Sequence, residues 1–215
     1  NKKEREEFMM TEKQRMLSGK LYNPYKVESN WGTCKEVLNK FNSMSWKEAE
    51  ERMLLLKQLF GRLGEGGYIE PPFYCDHGDK IFIGTNFYAN TELLILDEAE
   101  VIIGNNVFLA PRVSIYTAAH PIDAFVRNTK LEYAKKVTIG NDVWIGGNVV
   151  INPGVHIGNN VVIGSGSVVT KDIPDGVIAA GNPCRVIRAI EESDRIYWKN
   201  QMEEYYSEQK KKDAY

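Results

Sequence analysis

Cysteine is scarce in this chain. Cys34, Cys75 and Cys184 are widely spaced, odd in number and form no CxxC pair, so nothing supports a disulfide framework or a zinc knuckle, and a reducing cytoplasm is the expected setting. Long apolar runs are missing too: none approaches the roughly 18 residues that a membrane span needs. The opening residues, NKKEREEFMM, are charged and unlike a signal peptide. An excess of one charge is also lacking. A formal net charge of -2 and a pI near 6.0 give no electrostatic reason to expect nucleic acid or an anionic membrane as a partner. The one basic run, Lys210 to Lys212, reads as a solvated tail.

Length then sets the scale. A chain of 215 residues holds one main domain with a smaller appendage. Because Met9 and Met10 precede a clean helix start, residues 1–8 read as an added extension ahead of them. Residues 1–66 have helical signals, with three expected capping boxes: Thr11 with Gln14, Thr33 with Glu36, and Ser45 with Glu48. After the third, Trp46, Ala49, Met53, Leu56 and Phe60 form one helical stripe that reads as a packing face. Gly61, Gly64, Gly66 and Gly67 close the region.

From Ile69 the period changes to six. Starting at Ile139, aliphatics recur at Ile145, Ile151, Ile157, Ile163 and Val169, and the fifth place of each hexad holds Val143, Val149, Val155, Val161, Ser167 and Ile173. Glycine follows the lead aliphatic at Gly140, Gly146, Gly158 and Gly164. Ile103, Leu109 and Ile115 obey the same rule, and a weaker block runs through Ile83, Ala89 and Ile95. A unit of six fits neither the 3.6-residue helix nor a βαβ crossover. It fits a short strand plus a corner, three of which make a triangular coil buried by its neighbours. Small residues at the corner are expected to supply backbone freedom. GSGS at 164–167 lies in this register and lacks the Gly-Lys-Ser/Thr of a phosphate loop, so it is repeat.

The rhythm stops at His120. An excursion from Pro121 to about Glu132 follows, and YAKKVT from Tyr133 admits another hexad, which leaves the next coil's register open by a third of a turn. A rigid coil can fix a histidine while an ejected loop walls a site beside it. The other two histidines have plainer readings: His156 is an outward corner residue, and His77, in CDHGDK, is a turn residue that could line a pocket. The expected partition is 1–66 helical, 67–182 solenoid, and 183–215 extension plus a helix covering the open end.

The motifs LYNP (Leu21 to Pro24), FYAN (Phe87 to Asn90), TIGNDVWIGGNVVINPGV (Thr138 to Val155) and AAGNPCRVIR (Ala179 to Arg188) resemble those of the galactoside and maltose O-acetyltransferases. The resemblance covers roughly residues 10–190. It implies a mainly β fold, a left-handed parallel β-helix, against the usual right-handed crossover. It further implies a homotrimer with active sites between subunits, acetyl-CoA as co-substrate, no metal, and a sugar acceptor of galactoside, maltose or glucose type.

Residue by residue, the resemblance makes His120 the catalytic base, a role suited to histidine because a hydroxyl is a poor nucleophile at neutral pH. Asn90 stands beside the reacting hydroxyl, with Asp76, Tyr88 and an acid from the pair Asp97 and Glu98 on other hydroxyls. Gly147, Ser165, Thr170, Lys171, Arg185 and Arg188 occupy the acetyl-CoA positions, with Gly147 offering an oxyanion donor and Trp144 an interface or cofactor wall. Many members carry an aspartate shortly after Tyr22, where this chain has Asn23 and Pro24, so the sugar preference stays open. The alternatives are a xenobiotic or serine acetyltransferase, a zinc carbonic anhydrase needing three converging histidines, and a non-catalytic scaffold.

Overall fold

Extended hexads with a corner every six residues close into a three-sided parallel coil in the computed structural model, which describes residues 9–212. The extension expected at residues 1–8 lies outside them. The first face stacks Arg62–Leu63, Ile81–Ile83, Val101–Ile103, Val137–Ile139 and His156–Ile157. The second runs from Tyr68–Ile69 through Tyr88–Ala89, Phe108–Leu109, Trp144–Ile145 and Val162–Ile163 to Val177–Ala180. The third holds Phe73–Cys75, Leu93–Leu96, Ser114–Tyr116, Val150–Ile151 and Val168–Val169. Pairing begins at Arg62, inside the stretch that sequence analysis assigned to the helical region.

Lead aliphatics and fifth-place residues face inward. Ile139, Ile145, Ile151, Ile157, Ile163 and Val169 are all buried, as are Val143, Val149, Val155, Val161, Ser167 and Ile173. Fully burying one such aliphatic contributes about 1.5–3 kcal/mol, so the stack holds the coils together. Ser167, the one polar fifth place in the later block, is satisfied by accepting from the Gly181 N–H at 3.0 Å and donating to the Gly164 carbonyl.

A side-chain ladder at one corner measures each coil. The Thr85 N–H donates to Asn105 Oδ1 20 residues on, Asn105 to Asn141 36 on, Asn141 to Asn159 18 on and Asn159 to Asp175 16 on. The long step contains the excursion. Ala118–Ala119 pairs antiparallel with Tyr133–Ala134, so the loop leaves and returns at one corner. Tyr133 therefore does not open a coil strand. Parallel pairing resumes at Val137 opposite Val101, which settles the register.

The glycines do a different job from the expected one. A Cβ on Gly104 would lie 2.6 Å from the Gly140 carbonyl oxygen, and one on Gly140 2.7 Å from that of Gly158. They permit close approach of coils, while the positive φ falls two residues later at Asn106 (55°), Asp142 (59°) and Asn160 (53°), residues whose short side chains tolerate that region.

Among the described residues, three α-helices precede the coil: α1 (Glu12–Leu17), α2 (Trp31–Ser43) and α3 (Ala49–Leu59). The Thr11 box forms, and the Ser45 box caps a 3₁₀ turn, Trp46–Glu48, leading into α3. The Thr33 box does not form, because α2 starts earlier, at Trp31. Asn30 precedes α2 without capping it; its side chain donates to the His77 carbonyl at 2.9 Å instead. The expected stripe shifts as well: Trp46 is 77% exposed, whereas Leu56, Leu59 and Phe60 are buried beside Arg52, which donates to the Tyr68 hydroxyl. Within the excursion sits α4 (Ala124–Arg127), capped by Asp123. After Val177–Ala180 the strand Arg185–Ala189 turns back antiparallel, and α5 (Glu192–Lys212) follows. Ile196, Trp198, Met202 and Tyr205 of α5 are each more than half exposed. Among the described residues, these side chains are left exposed rather than buried over the coil's open end as expected.

Candidate active site

Strands of the third face end at one corner, and three turns converge there: Asp76–Gly78, Asp97–Ala99 and the start of the excursion. The first two are tied by Asp97. Its carboxylate is fully buried and accepts from the Asp76 N–H (3.0 Å), the His77 N–H (2.9 Å) and the Gly78 N–H (2.7 Å). Of the acid pair expected to meet substrate, Asp97 is thus committed to the backbone. Glu98 is the one that reaches open space.

That space is a cavity of about 470 Å³, lined among others by Tyr22, Trp31, Asp76, His77, Glu98 and Glu132. Helix α2 builds one wall. Lys35 on it lies 3.0 Å from Asp76 Oδ1 and also donates to the Cys75 carbonyl. Burial, then the neighbouring Asp76 carboxylate, push the Glu98 carboxyl up to about 8. Burial holds His77 below the usual histidine range, so it is neutral at pH 7.

The opposite wall comes from the excursion. Tyr22 and Glu132 exchange two backbone hydrogen bonds, at 2.9 and 3.0 Å, and the Tyr22 hydroxyl donates to Glu132 Oε2 at 3.0 Å. Burial and this carboxylate raise the Tyr22 pKa well above the phenolic range. The other oxygen, Oε1, is 3.8 Å from His120 Nε2, and the His120 side chain is 53% exposed. His120 therefore stands outside the cavity lining but next to Glu132, which does line it. Sequence reasoning missed Glu132, Trp31 and Lys35. Glu132 could have been found as the last residue of the excursion; the other two lie on a helix with no periodic signal for a site.

Tyr88 and Asn90 do not join this cavity within the chain. They belong to the second face, where Tyr88 stacks on Tyr68 at 6.3 Å between ring centres and pairs in register with Phe108, itself opposite Trp144. The result is an outward aromatic ladder, with Trp144 54% exposed. Asn90 Oδ1 accepts the Thr91 N–H at 2.8 Å.

Gly147 and Ser165 share the next corner. The Gly147 N–H donates to Ser165 Oγ at 3.1 Å, and the Gly166 N–H to the Gly147 carbonyl at 2.8 Å. Thr170 and Lys171 follow, both exposed. Arg185 is exposed too, but Arg188 is held by Asp194 at the start of α5 in a bidentate pair, at 2.6 and 2.9 Å. That pair pushes Arg188 up and Asp194 down to about 2. The histidines stand apart: His156 Nδ1 meets the Thr138 hydroxyl at 2.6 Å, and among the described residues no group of His, Cys, Asp and Glu converges to hold a metal ion.

Comparison with known proteins bears on this arrangement. Residues 15–64 match the maltose acetyltransferase hexapeptide capping motif, and residues 136–171 match the six-repeat bacterial transferase hexapeptide. A galactoside O-acetyltransferase of Escherichia coli (strain K12) is 49% identical over 164 residues, 76% of this chain and 81% of that protein. The maltose O-acetyltransferase of Clostridium difficile 630 superposes with a TM-score of 0.82 at 50% identity, covering 85% of this chain and 98% of that one. A galactoside acetyltransferase solved with coenzyme A gives 0.84 at 45%, covering 87% and 94%. The chain belongs to the galactoside and maltose O-acetyltransferase family.

As an acyltransferase of this family, the chain carries the residues expected for the site on both matched segments. The capping motif contains Tyr22 and Trp31 of the cavity wall, with Lys35 behind it, and the repeat segment contains Trp144, Gly147, Ser165, Thr170 and Lys171. His120, Glu132 and the carboxylates lie between them. None of the described helices is long and apolar enough to cross a membrane.

Proposed function

We propose that this acetyltransferase transfers the acetyl group of acetyl-CoA to a sugar hydroxyl bound in the carboxylate-lined cavity, with His120 as the general base. The carrying observation is the position of His120, half-exposed and 3.8 Å from the cavity residue Glu132. In this reading the neutral imidazole takes the proton from the acceptor hydroxyl as its oxygen attacks the thioester carbonyl. A tetrahedral intermediate forms, its oxyanion stabilised by the Gly147 N–H, which turns from Ser165 Oγ to meet it. Collapse breaks the C–S bond, and the imidazolium returns the proton to the leaving sulfur. No acyl-enzyme is needed. The small residues Gly147 and Ser165 leave backbone amides accessible to the pantetheine, and Lys171 and Arg185 are available to the CoA phosphates; Arg188 serves only if its pair with Asp194 opens.

The acceptors named in the relatives, galactosides and maltose, are the sugars to try. Tyr88 and Asn90 complete the acceptor site from a second subunit of a homotrimer. Support comes from their place on another face of the same chain and from the exposed aromatic ladder beside them, which a neighbour would cover. Three free thiols suit a reducing cytoplasm.

The test is thiol release from acetyl-CoA with galactosides, glucosides, maltose and chloramphenicol, on wild type and His120→Ala. A sugar should turn over, and the variant should lose about 10²- to 10⁴-fold in kcat while still binding CoA. Full activity in His120→Ala sinks the mechanism. Turnover of chloramphenicol alone sinks the acceptor class.

A further inference from the structure

Two buried polar atoms facing the cavity have no hydrogen-bond partner among the described residues: Glu98 Oε2 and His77 Nδ1. Both residues line the cavity, and His77 is only 7% exposed. Buried polar atoms are nearly always paired, so orphans beside open space mark where a ligand supplies the missing group.

The missing group can be read from the chemistry of the wall. Asp76, Glu98 and Glu132 are carboxylates, acceptor-only when ionised, and a neutral imidazole has one acceptor nitrogen. Asp97, behind them, is already saturated by backbone donors. Among the described residues, the one ammonium paired with these carboxylates, that of Lys35, comes from α2 outside the cavity to Asp76, and it lies 5.2 Å over the Trp31 ring. Burial and the neighbouring Asp76 carboxylate push the Glu98 carboxyl up to about 8, so at pH 7 it keeps a proton, while its Oε2 has no partner among the described residues. A sugar hydroxyl brings one donor and itself asks for one. An ammonium brings three donors and a positive charge, and asks for none.

We infer that the acceptor carries a protonated amine beside its reacting hydroxyl, held at Asp76 and Glu98, and that Glu98 determines this preference. The inference rests on the cavity being the acceptor site. The raised Glu98 pKa supports it: the cation takes the place of the proton on Glu98, which leaves to solvent as the ammonium binds. Because the amine stays protonated it has no free electron pair. The nucleophile is therefore the hydroxyl facing His120, and the product is an ester with its amine intact.

The experiment compares a 2-amino-2-deoxyhexose with its parent hexose, in the gluco and galacto series, as acceptors at pH 7 for wild type and Glu98→Gln. Products are assigned by NMR as ester or amide. The amino sugar should exceed its parent by about ten- to a hundredfold in kcat/KM, the span of a charge-assisted hydrogen bond, and yield the ester. In Glu98→Gln, which keeps the shape and loses the charge, the ratio should fall towards one. A purely structural role for Glu98 would lower both rates and leave the ratio alone. Equal or poorer use of the amino sugars, a ratio unchanged by the substitution, or an amide product overturns the inference while turnover of the neutral sugars leaves the acetyltransferase reading standing. If no sugar of either kind accepts acetyl, the acceptor reading fails and this inference falls with it.

Discussion

Removing the Asp97 carboxylate isolates the contribution of one buried acceptor. The side chain is fully buried and receives three backbone N–H groups, from Asp76, His77 and Gly78, at 3.0, 2.9 and 2.7 Å. In Asp97→Ala those donors lose their partner. Each unsatisfied buried donor costs about 1–3 kcal/mol, and water entering from the adjoining cavity can relieve one of them. The expected loss is therefore about 2–6 kcal/mol, against the 5–15 kcal/mol that holds a typical domain. Urea unfolding followed by circular dichroism measures it as a fall in midpoint. Asp97→Asn keeps one acceptor oxygen and turns an NH₂ towards the third N–H, so it should lie between Ala and wild type. The same turn carries Asp76 and His77, whereas Gly147, Ser165 and Lys171 sit on coils beyond the excursion. Acceptor KM should then rise more than acetyl-CoA KM. A midpoint shift worth less than about 1 kcal/mol, a quarter of the expected effect, or a rise confined to acetyl-CoA KM, would refute the assignment of Asp97 as the tie between the turns.

Three further outcomes follow from other parts of the structure. Gly140→Ala sets a Cβ 2.7 Å from the Gly158 carbonyl and should destabilise by about 1–3 kcal/mol, the usual range for overpacking. Gly32→Ala, in α2 with nothing within 4 Å of the new methyl, should stabilise by about 0.5–1 kcal/mol; thermal melts rank the two. Glu98 is held at about 8 against an ordinary value of 4.5, so between those values the folded chain retains a proton that the unfolded chain releases. Its contribution is fully present below about pH 4.5 and is lost as pH rises towards 8, with a slope of up to about 1.4 kcal/mol per pH unit. Glu98→Gln should flatten the fall in urea midpoint across that window, and an unchanged slope would place the proton elsewhere.

Much of the fold was legible because a solenoid is nearly one-dimensional. Every buried position from Ile139 to Ile173 could be read from the period of six, since each coil packs only on its neighbours. The end of the excursion was not legible. YAKKVT looks like a hexad, and only the antiparallel pairing of Tyr133–Ala134 with Ala118–Ala119 takes it out of the coil. The Thr33 capping box and the Trp46 stripe failed for a similar reason. Local pattern permitted them, but tertiary contacts of Asn30 and Arg52 chose otherwise.

By itself the amino-acid sequence determined the coil, its core, and a histidine at the break in the repeat, because each of these follows from spacing along the chain. Only the tertiary structure decided what surrounds that histidine. Asp97 and Glu98 are adjacent acids of equal promise in sequence, and the turn after Leu93–Leu96 aims one at three backbone donors and the other into the cavity. Glu132 meets Tyr22 across 110 residues, and Arg188 is drawn to Asp194 by a helix that begins after the repeat ends. Such pairings depend on which segments the folded coil brings together in space, and no period in the sequence encodes that.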